Sequence, residues 1–246
     1  MGLSITVLGC SGTYAGPGNA CSGYLVRDDA TSVWVDCGPG TLANLQQHVP
    51  FDALDAVVVS HHHPDHWLEL PVFRNAIKYG SDRESVPVYG TADLRHVCEA
   101  VVDDGTEPTF EWHRIGDGDS VSIGGLRFTF SRTDHPVETL GMRVDSVADG
   151  RSLGYSSDTA AGWSLSALGP GLDLAVCEAT LLSHQEGTAP HMSGREAGLS
   201  AREAGVGRLV ITHLWPTSDP ADHLREAAEA FGGPVEVAEL NRRYDA

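Results

Sequence analysis

The segment of this 246-residue chain that most constrains its fold and chemistry is Ser60–His66, which reads Ser-His-His-His-Pro-Asp-His. It directly follows Leu54–Val59, an apolar run that predicts a buried β-strand. Imidazole nitrogens and carboxylate oxygens are ligands that zinc and similar first-row metals accept. The four candidate ligands are His61, His63, Asp65 and His66. The segment therefore predicts a metal site at the carboxyl end of a strand, where α/β sheets usually place their sites.

Two simpler interpretations of this segment stay open at this point. A histidine-rich loop can lie on the surface without binding a ligand, and the first two spaced histidines, His61 and His63, can bind a single ion. A spaced His/Asp cluster directly after a core strand favours metal binding over a bare surface loop. The number of ions depends on ligands elsewhere in the chain.

Three further candidate ligands follow predicted strands in the second half of the chain. His135 follows the strand predicted over Leu126–Arg132, Asp158 follows Ser152–Ser156, and His213 ends the stretch Val-Ile-Thr-His. Each would more often be structural if it stood alone. With the first cluster they complete what a two-metal hydrolytic site needs, which is several nitrogen and oxygen ligands for each ion and a carboxylate between the ions.

The seven candidates divide into two ligand sets and a bridge. The first ion would be held by His61, His63 and His135. The second ion would be held by Asp65, His66 and His213, with Asp158 bridging the pair. We predict two Zn²⁺ ions as cofactors, with Mn²⁺ or Fe as alternatives.

Glu178 and His191 form a candidate acid pair. Glu178 ends a predicted strand as the metal ligands do, and His191 precedes Ser193–Glu196, a capping box that starts a helix. A carboxylate that orients an imidazole is the usual way to make a general acid. The alternative is a histidine in a surface loop beside a structural glutamate. We expect Asp65 to serve catalysis as well, by hydrogen-bonding the attacking oxygen.

The composition of the chain limits which partners it could bind and in which cellular compartment it would be found. The formal net charge is −18 and Lys78 is the one lysine, so there is no basic stripe for extended nucleic acid. Two divalent ions would reverse the potential locally, so a small anionic substrate remains compatible with this charge. Five cysteines without CxxC spacing predict a cytoplasmic protein, and no run approaches the roughly 18 apolar residues of a membrane span. Association into a homodimer is left open.

The order of predicted elements favours one domain over residues 1–246. Strands and helices alternate in both halves, and Gly124-Gly125 marks a hairpin in a β-rich middle. A helix is predicted from near Asp65 through Ile77, although Pro71 lies in its first turns. Histidines without partners in sequence are predicted at the surface: His48, His96, His113 and His223. We predict an α/β (α+β) fold, a four-layer αββα sandwich of two sheets flanked by helices.

Taken together, these residues resemble the metallo-β-lactamase fold superfamily. Ser60–His66 matches its signature, and the later candidate ligands follow in the same order. Asp36, in Val-Asp-Cys-Gly, resembles the early Asp-x-Gly turn, whose aspartate is usually structural. The region around His135 lacks the Gly-His-Thr-x-Gly pattern of glyoxalase-type and lactamase-type members. The resemblance covers nearly the whole chain and implies the sandwich fold and the metal centre.

Two further motifs indicate which branch of the superfamily the chain resembles. Glu178-Ala179-Thr180 and His191-Met192-Ser193 resemble the paired motifs of ribonuclease Z-like members. In that branch the histidine, supported by the glutamate, assists phosphodiester cleavage. Transfer-RNA-processing members insert a long substrate-binding arm between the ligands that match His135 and Asp158. The 23 positions between those residues here leave no room for such an arm.

Val7–Gly12 and Ser22–Leu25 are similar to actinobacterial cyclic-nucleotide phosphodiesterases of this fold. The resemblance implies a dizinc phosphoric diester hydrolase acting on a small phosphodiester, with a 3′,5′-cyclic nucleotide as the leading candidate. The alternatives are a metal-dependent lactonase or other ester hydrolase, a ribonuclease Z-like nuclease without the usual arm, and a metal-binding module without activity. Trp67 and Trp215 follow ligands closely and are candidates to stack on a nucleobase, although core packing is the commoner role.

Overall fold

The computed structural model describes residues 2–246 and contains two seven-stranded β-sheets. The strands of the first sheet are β1 (Ser4–Gly9), β2 (Gly23–Arg27), β3 (Ser32–Cys37), β4 (Ala56–Val59), β5 (Val86–Gly90), β6 (Phe110–Arg114) and β14 (Arg243–Asp245). The strands of the second sheet are β7 (Ser120–Ile123), β8 (Leu126–Arg132), β9 (Leu140–Ser146), β10 (Ser152–Tyr155), β11 (Leu174–Glu178), β12 (Leu209–Thr212) and β13 (Val235–Val237). Their spatial orders are β14-β1-β2-β3-β4-β5-β6 and β13-β12-β11-β10-β9-β8-β7.

Six α-helices in residues 2–246 cover the outer faces of the sheets. They are α1 (Thr41–Leu45), α2 (Pro64–Trp67), α3 (Leu70–Gly80), α4 (Leu94–Glu99), α5 (Gly194–Glu203) and α6 (Pro220–Phe231). The first four pack on the first sheet, and α5 and α6 pack on the second. None of these helices has the length and apolar character that crossing a bilayer requires.

Side chains alternate across each strand, so each sheet contributes to two apolar cores. In β3, Val33 and Val35 face the other sheet, while Trp34 faces the helices. Phe128 and Met142 of the second sheet complete the core between the sheets. Three apolar clusters thus separate four layers, and the predicted αββα sandwich is confirmed.

Parallel strands bring the site together. The strands β3 to β6 run parallel to one another, and so do β10 to β13. The segments directly after β4, β10 and β12 carry His61, Asp158 and His213. Because parallel strands present their carboxyl ends at one edge, distant parts of the chain meet there.

The helix predicted from Asp65 through Ile77 is two helices in the structure. The first ends at Trp67 and the second begins at Leu70, with Pro71 in the first turn of the second helix. Proline has no backbone N–H and suits a first helical turn, where that N–H would have no partner. The proline therefore marks a new helix start.

The surface position predicted for His223 is wrong, because its side chain is fully buried on α6. Ala227 and Phe231 lie four and eight positions further along, on the same face of the helix, and they pack in the core beneath it. The backbone of His223 lies so close to Gly194 of α5 that a Cβ at position 194 would approach it to 2.6 Å. His223 therefore belongs to the α5–α6 interface.

Candidate metal centre and acid pair

The first group of candidate ligands lies where β4, β8 and β10 end. His61, His63, His135 and Asp158 each offer one ligand atom, and these atoms lie within 4.8 Å of one another. Nε2 of His135 is 3.1 Å from Nδ1 of His63, and Nε2 of His61 is 3.7 Å from Oδ2 of Asp158. The structure thus places the set predicted for one ion around a common point.

The second group lies beside the first and is fully or almost fully buried. Its members are Asp65, His66 and His213. Oδ2 of Asp65 is 3.5 Å from Nε2 of His66 and 3.3 Å from Nε2 of His213. These three atoms converge as a second ligand set, although Asp65 and His213 are 148 positions apart in the chain.

Asp158 lies between the two groups. Its Oδ1 is 3.2 Å from Nε2 of His66 and 3.4 Å from Nε2 of His213. Its Oδ2 is 3.7 Å from Nε2 of His61 and 4.0 Å from Nε2 of His135. One carboxylate oxygen therefore faces each group, which is the arrangement of a carboxylate that bridges two ions.

Two buried atoms in this cluster have no hydrogen-bond partner among residues 2–246. They are Nε2 of His61 and Oδ1 of Asp158, whose 3.2 Å approach to Nε2 of His66 is not aligned as a hydrogen bond. A buried polar atom without a partner is costly, and native structures rarely leave one without a reason. A cation at each ligand group would satisfy both atoms. The donor set, with nitrogen and oxygen ligands converging at both points, fits two divalent ions.

The electrostatics of the cluster favour ligation by neutral imidazoles. Burial lowers the pKa of His61, His63 and His135, which keeps their rings neutral and their lone pairs available. For Asp65, burial opposes ionisation, but nearby His66 and the hydrogen bond with His213 outweigh it and lower the pKa of the carboxyl. The carboxylate is therefore ionised at neutral pH.

His66 differs from the other histidines because three carboxylates surround it. Burial disfavours its charged form, but Asp158, Asp65 and Asp36 together raise its pKa well above the usual value. A site so rich in negative charge draws a positive charge to itself, and a bound divalent cation would replace the proton on His66.

Asp36 is hydrogen-bonded to residues of this ligand cluster and orients them. Its Oδ2 lies 2.8 Å from Nδ1 of His66 and accepts a hydrogen bond from Tyr155 at 2.8 Å. Both the backbone N–H and the hydroxyl of Ser60 donate to the same carboxylate, and the hydroxyl also lies 3.0 Å from Nδ1 of His61. Asp36 thus fixes two ligand rings through their far nitrogens, a way of orienting metal-binding imidazoles.

Glu178 and His191 lie directly beside the second ligand group. Oε1 of Glu178 is 2.8 Å from Nδ1 of His191, and it also accepts the backbone N–H of Thr159 at 2.7 Å. The Glu178 side chain is 1 % exposed, so its charge is poorly screened. Burial alone would favour a neutral His191, but the Glu178 carboxylate overcomes it and raises the pKa of His191 to about 9.

The open side of the cluster is a cleft of about 410 Å³. Its lining residues are Thr13, His63, Pro64, Asp65, His135, Asp158, Pro190 and His191. None of them is Lys or Arg, so His191 is the one lining side chain whose raised pKa gives it a positive charge at neutral pH. An anionic substrate in this cleft would therefore depend on bound cations and on His191.

Thr13 is a site residue that could not be singled out from the sequence. The backbone N–H of Thr13 donates to Oδ2 of Asp65 at 2.9 Å, across 52 positions of chain. The hydroxyl of Thr13 accepts from Nε1 of Trp215 at 3.2 Å. Neither contact has a local spacing that sequence inspection could have detected.

The two tryptophans considered for base stacking occupy different environments. Trp67 is 5 % exposed, packs among the apolar residues under the first sheet, and donates its N–H to the carbonyl of His62. Trp67 therefore has the packing role. Trp215 is half-buried beside Thr13 at the edge of the site.

Comparison with known families and proteins agrees with this geometry. The family model described as "Beta-lactamase superfamily domain" matches residues 31–214. An uncharacterized protein of Mycobacterium tuberculosis, Rv1339, is 35% identical over 255 residues, covering 99% of this chain and 92% of the relative. A ribonuclease Z of Mycobacterium bovis is 31% identical over 269 residues, covering 96% of this chain and 95% of the relative.

Bacillus subtilis YhfI, named a probable metallo-hydrolase, is similar in both sequence and structure. Its sequence is 34% identical over 246 residues, covering 96% of this chain and 97% of YhfI. Its crystal structure superposes with a TM-score of 0.88 and covers 98% of each chain. The chain therefore belongs to the β-lactamase superfamily domain family, and it is a metal-dependent hydrolase with the metallo-β-lactamase fold.

Proposed function

We propose that this protein is a phosphodiesterase that hydrolyses small phosphodiesters, with 3′,5′-cyclic nucleotides as the substrate class. The observation that carries the proposal is the Glu178–His191 pair beside the ligand cluster, with 2.8 Å between Oε1 and Nδ1. Hydrolysis of an unactivated phosphodiester releases an alkoxide, a poor leaving group that needs a proton. An activated ester or lactone gains less from such an acid.

The two ligand groups would hold two Zn²⁺ ions, with Mn²⁺ or Fe as alternatives for the same donors. When bound, such ions polarise phosphate oxygens and make water a nucleophile at neutral pH. Asp65, which lines the cleft, would accept a hydrogen bond from the attacking water. The Thr13 N–H, 2.9 Å from Oδ2, would keep that carboxylate in position.

His191 would supply the proton to the leaving oxygen. Its Nδ1 is engaged by Glu178, which leaves Nε2 as the nitrogen available to substrate in the cleft. With its pKa raised to about 9, the ring is protonated at neutral pH, and the proton on Nε2 can pass to the departing 3′-oxygen. After transfer, the neutral ring keeps its orientation because Glu178 still accepts from Nδ1.

The dimensions and the charge of the protein support a small substrate. A cleft of about 410 Å³ suits one small molecule. Between His135 and Asp158 the chain forms β9, a turn and β10, so no arm extends from that position. The net charge of −18 disfavours a long polyanion.

A ribonuclease Z-like nuclease is the second candidate, because the Mycobacterium bovis ribonuclease Z aligns with 96% of this chain. That nuclease would need the same metal ligands and the same acid. The two candidates differ in what binds the rest of the substrate, so they are separated by substrate size and not by the chemistry of the centre.

The test of the acid is a leaving-group comparison on metal-loaded protein. His191→Ala should retain its metal content and lose about 10²–10⁴-fold in kcat/KM on a phosphodiester with an alkoxide leaving group. The loss should be much smaller on an aryl phosphodiester, whose leaving group needs little protonation. Equal losses on both substrates would contradict the role of His191 as the leaving-group acid. Turnover of lactones alone would reject the proposed phosphodiesterase.

A further inference from the structure

Thr180 joins the two functional parts of the site through one hydroxyl group. Its side chain is fully buried in the loop after β11. Its Oγ1 lies 2.8 Å from Oε2 of Glu178, 2.8 Å from Nδ1 of His213 and 2.9 Å from the carbonyl oxygen of His213. One hydroxyl therefore touches both a candidate metal ligand and the carboxylate that orients His191.

A hydroxyl has one proton to donate, so these three contacts cannot all receive it. The carboxylate of Glu178 and the carbonyl of His213 only accept. Nδ1 of His213 is the single partner whose role depends on the tautomer. The tautomer of His213 therefore decides where the proton of Thr180 points.

Metal ligation fixes that tautomer. Nε2 of His213 faces the ligand cluster, 3.3 Å from Oδ2 of Asp65 and 3.4 Å from Oδ1 of Asp158. A ring that gives its Nε2 lone pair to a cation carries its proton on Nδ1. That N–H then donates to Thr180. The hydroxyl proton goes to the charged carboxylate of Glu178, which is a stronger acceptor than the neutral carbonyl of His213. In the opposite tautomer the hydroxyl must donate to Nδ1, and Glu178 loses the bond.

We propose that Thr180 is a positioning residue that links the metal-binding tautomer of His213 to the orientation of Glu178 and His191. The inference deepens the proposed function and rests on it for the role of His191. Oε1 of Glu178 is already held by Thr159 and His191. Apart from the hydroxyl, Oε2 has only the longer 3.4 Å contact with the Thr180 N–H among the hydrogen bonds of residues 2–246. The hydroxyl is therefore the shortest contact that holds Oε2 in place.

The same contact matters for ligation. Without the hydroxyl, Nδ1 of His213 has no other hydrogen-bond acceptor among residues 2–246. Partners of this kind on a metal-binding imidazole typically affect metal affinity by about 10–100-fold. Thr180→Val should thus weaken the binding of one ion and, at the same time, leave the His191 side chain less well oriented.

The test compares Thr180→Val, which keeps the shape, with Thr180→Ser, which keeps the hydroxyl. Thr91→Val is the matched control, because Thr91 is also buried and its hydroxyl has no hydrogen-bond partner. Competition titration with Zn²⁺ and a chromophoric chelator measures both affinities without any substrate. We expect Thr180→Val to lower the affinity for one Zn²⁺ ion about 10–100-fold and to leave the affinity for the other within a factor of three. Thr180→Ser and Thr91→Val should match the wild-type protein.

A second measurement follows the link directly. ¹⁵N NMR of the histidine rings should show that Zn²⁺ addition fixes the tautomer of His213 in both proteins. It should also shift the Nδ1 resonance of His191, which reports the bond to Glu178, in the wild-type protein but not in Thr180→Val. Unchanged zinc affinities in Thr180→Val, or Thr180→Ser as impaired as Thr180→Val, would overturn the inference. Because neither readout uses a substrate, a protein inert on all phosphodiesters would reject the proposed function and leave this inference testable.

Discussion

Nδ1 of His191 lies 2.8 Å from Oε1 of Glu178, and this contact favours the protonated form of the ring. Burial favours the neutral ring, but the adjacent carboxylate favours the charged one and raises the pKa of His191 to about 9. A general acid works only while protonated. Catalysis that depends on His191 is therefore present at neutral pH and declines as the pH rises through that pKa.

Glu178→Gln tests this assignment. The amide preserves the shape of the side chain and removes its charge, so the pKa of His191 should fall. The alkaline decline of kcat/KM should then begin at lower pH than in the wild-type protein, as a full pH profile would show. Glu99→Gln, which removes a carboxylate paired with Arg95 on α4, is the control and should leave the profile unchanged. An unmoved alkaline limb in Glu178→Gln would contradict the role of the pair.

Asp158 offers the matching test for the metal centre. Because one of its oxygens faces each ligand group, Asp158→Ala should weaken both ions at once. Metal analysis after dialysis should give close to two ions per chain for the wild-type protein and clearly fewer than one for the variant. Asp104→Ala, which removes an exposed partner of Lys78, should keep both ions. A variant without Asp158 that retains two tightly held ions would rule out the bridge.

At the level of elements, α5 connects the stability of the fold to the position of the acid. Ser193 accepts from the Glu196 N–H, and the Glu196 side chain accepts from the Ser193 N–H, so both members of the capping box are formed. His191 lies two residues before this cap. The start of α5 therefore fixes the end of the segment that carries His191.

Comparison of Ser193→Ala with Asp219→Ala separates an effect on the stability of the fold from an effect on the position of His191. Each removes the side chain that caps a helix, α5 or α6 respectively, and each should cost about 1 kcal/mol in urea unfolding. Only Ser193→Ala should also reduce kcat on the alkoxide-leaving substrate, because the cap of α6 is remote from His191 in the chain. Equal kcat values for the two variants would show that the α5 cap does not position His191.

The strands and the ligands could be predicted from the sequence for a shared reason. Strands such as β4 are buried on both faces and appear as continuous apolar runs, and the ligand residues directly follow such runs. Glu178 and His191 were candidates from their positions in the sequence, and the resemblance supported their pairing. Nothing in their spacing of 13 positions by itself predicts a 2.8 Å contact.

The features that were missed depend on contacts between distant parts of the chain. Tyr155 donates to Asp36 across 119 positions, and the three-residue strand β14 forms only because it pairs with β1. His223 looked polar and unpartnered, although its helix face places it in the core. These outcomes depend on tertiary packing, which local sequence patterns do not encode.

At the scale of the whole molecule, charge separates a small substrate from a large one. Folded RNA would bind to a protein whose whole chain has 34 acidic and 16 basic residues, apart from histidine. Binding of a polyanion by neutralising phosphates has a steep salt dependence, whereas one phosphate at a metal centre has a shallow one. We predict that KM for a small phosphodiester changes less than about three-fold between 50 and 200 mM salt, as initial-rate kinetics would show; a change of ten-fold or more would indicate an extended electrostatic footprint.

The proposed substrate class is tested most directly by comparing kcat/KM for a 3′,5′-cyclic nucleotide with kcat/KM for a precursor transfer RNA, using the same zinc-loaded protein at moderate salt. We predict clear hydrolysis of the cyclic nucleotide to a nucleoside monophosphate and negligible cleavage of the precursor, because the cleft of about 410 Å³ accepts one small molecule. Chelation should abolish the activity and zinc should restore it. Efficient precursor cleavage by a protein that leaves cyclic nucleotides intact would contradict the proposed substrate class.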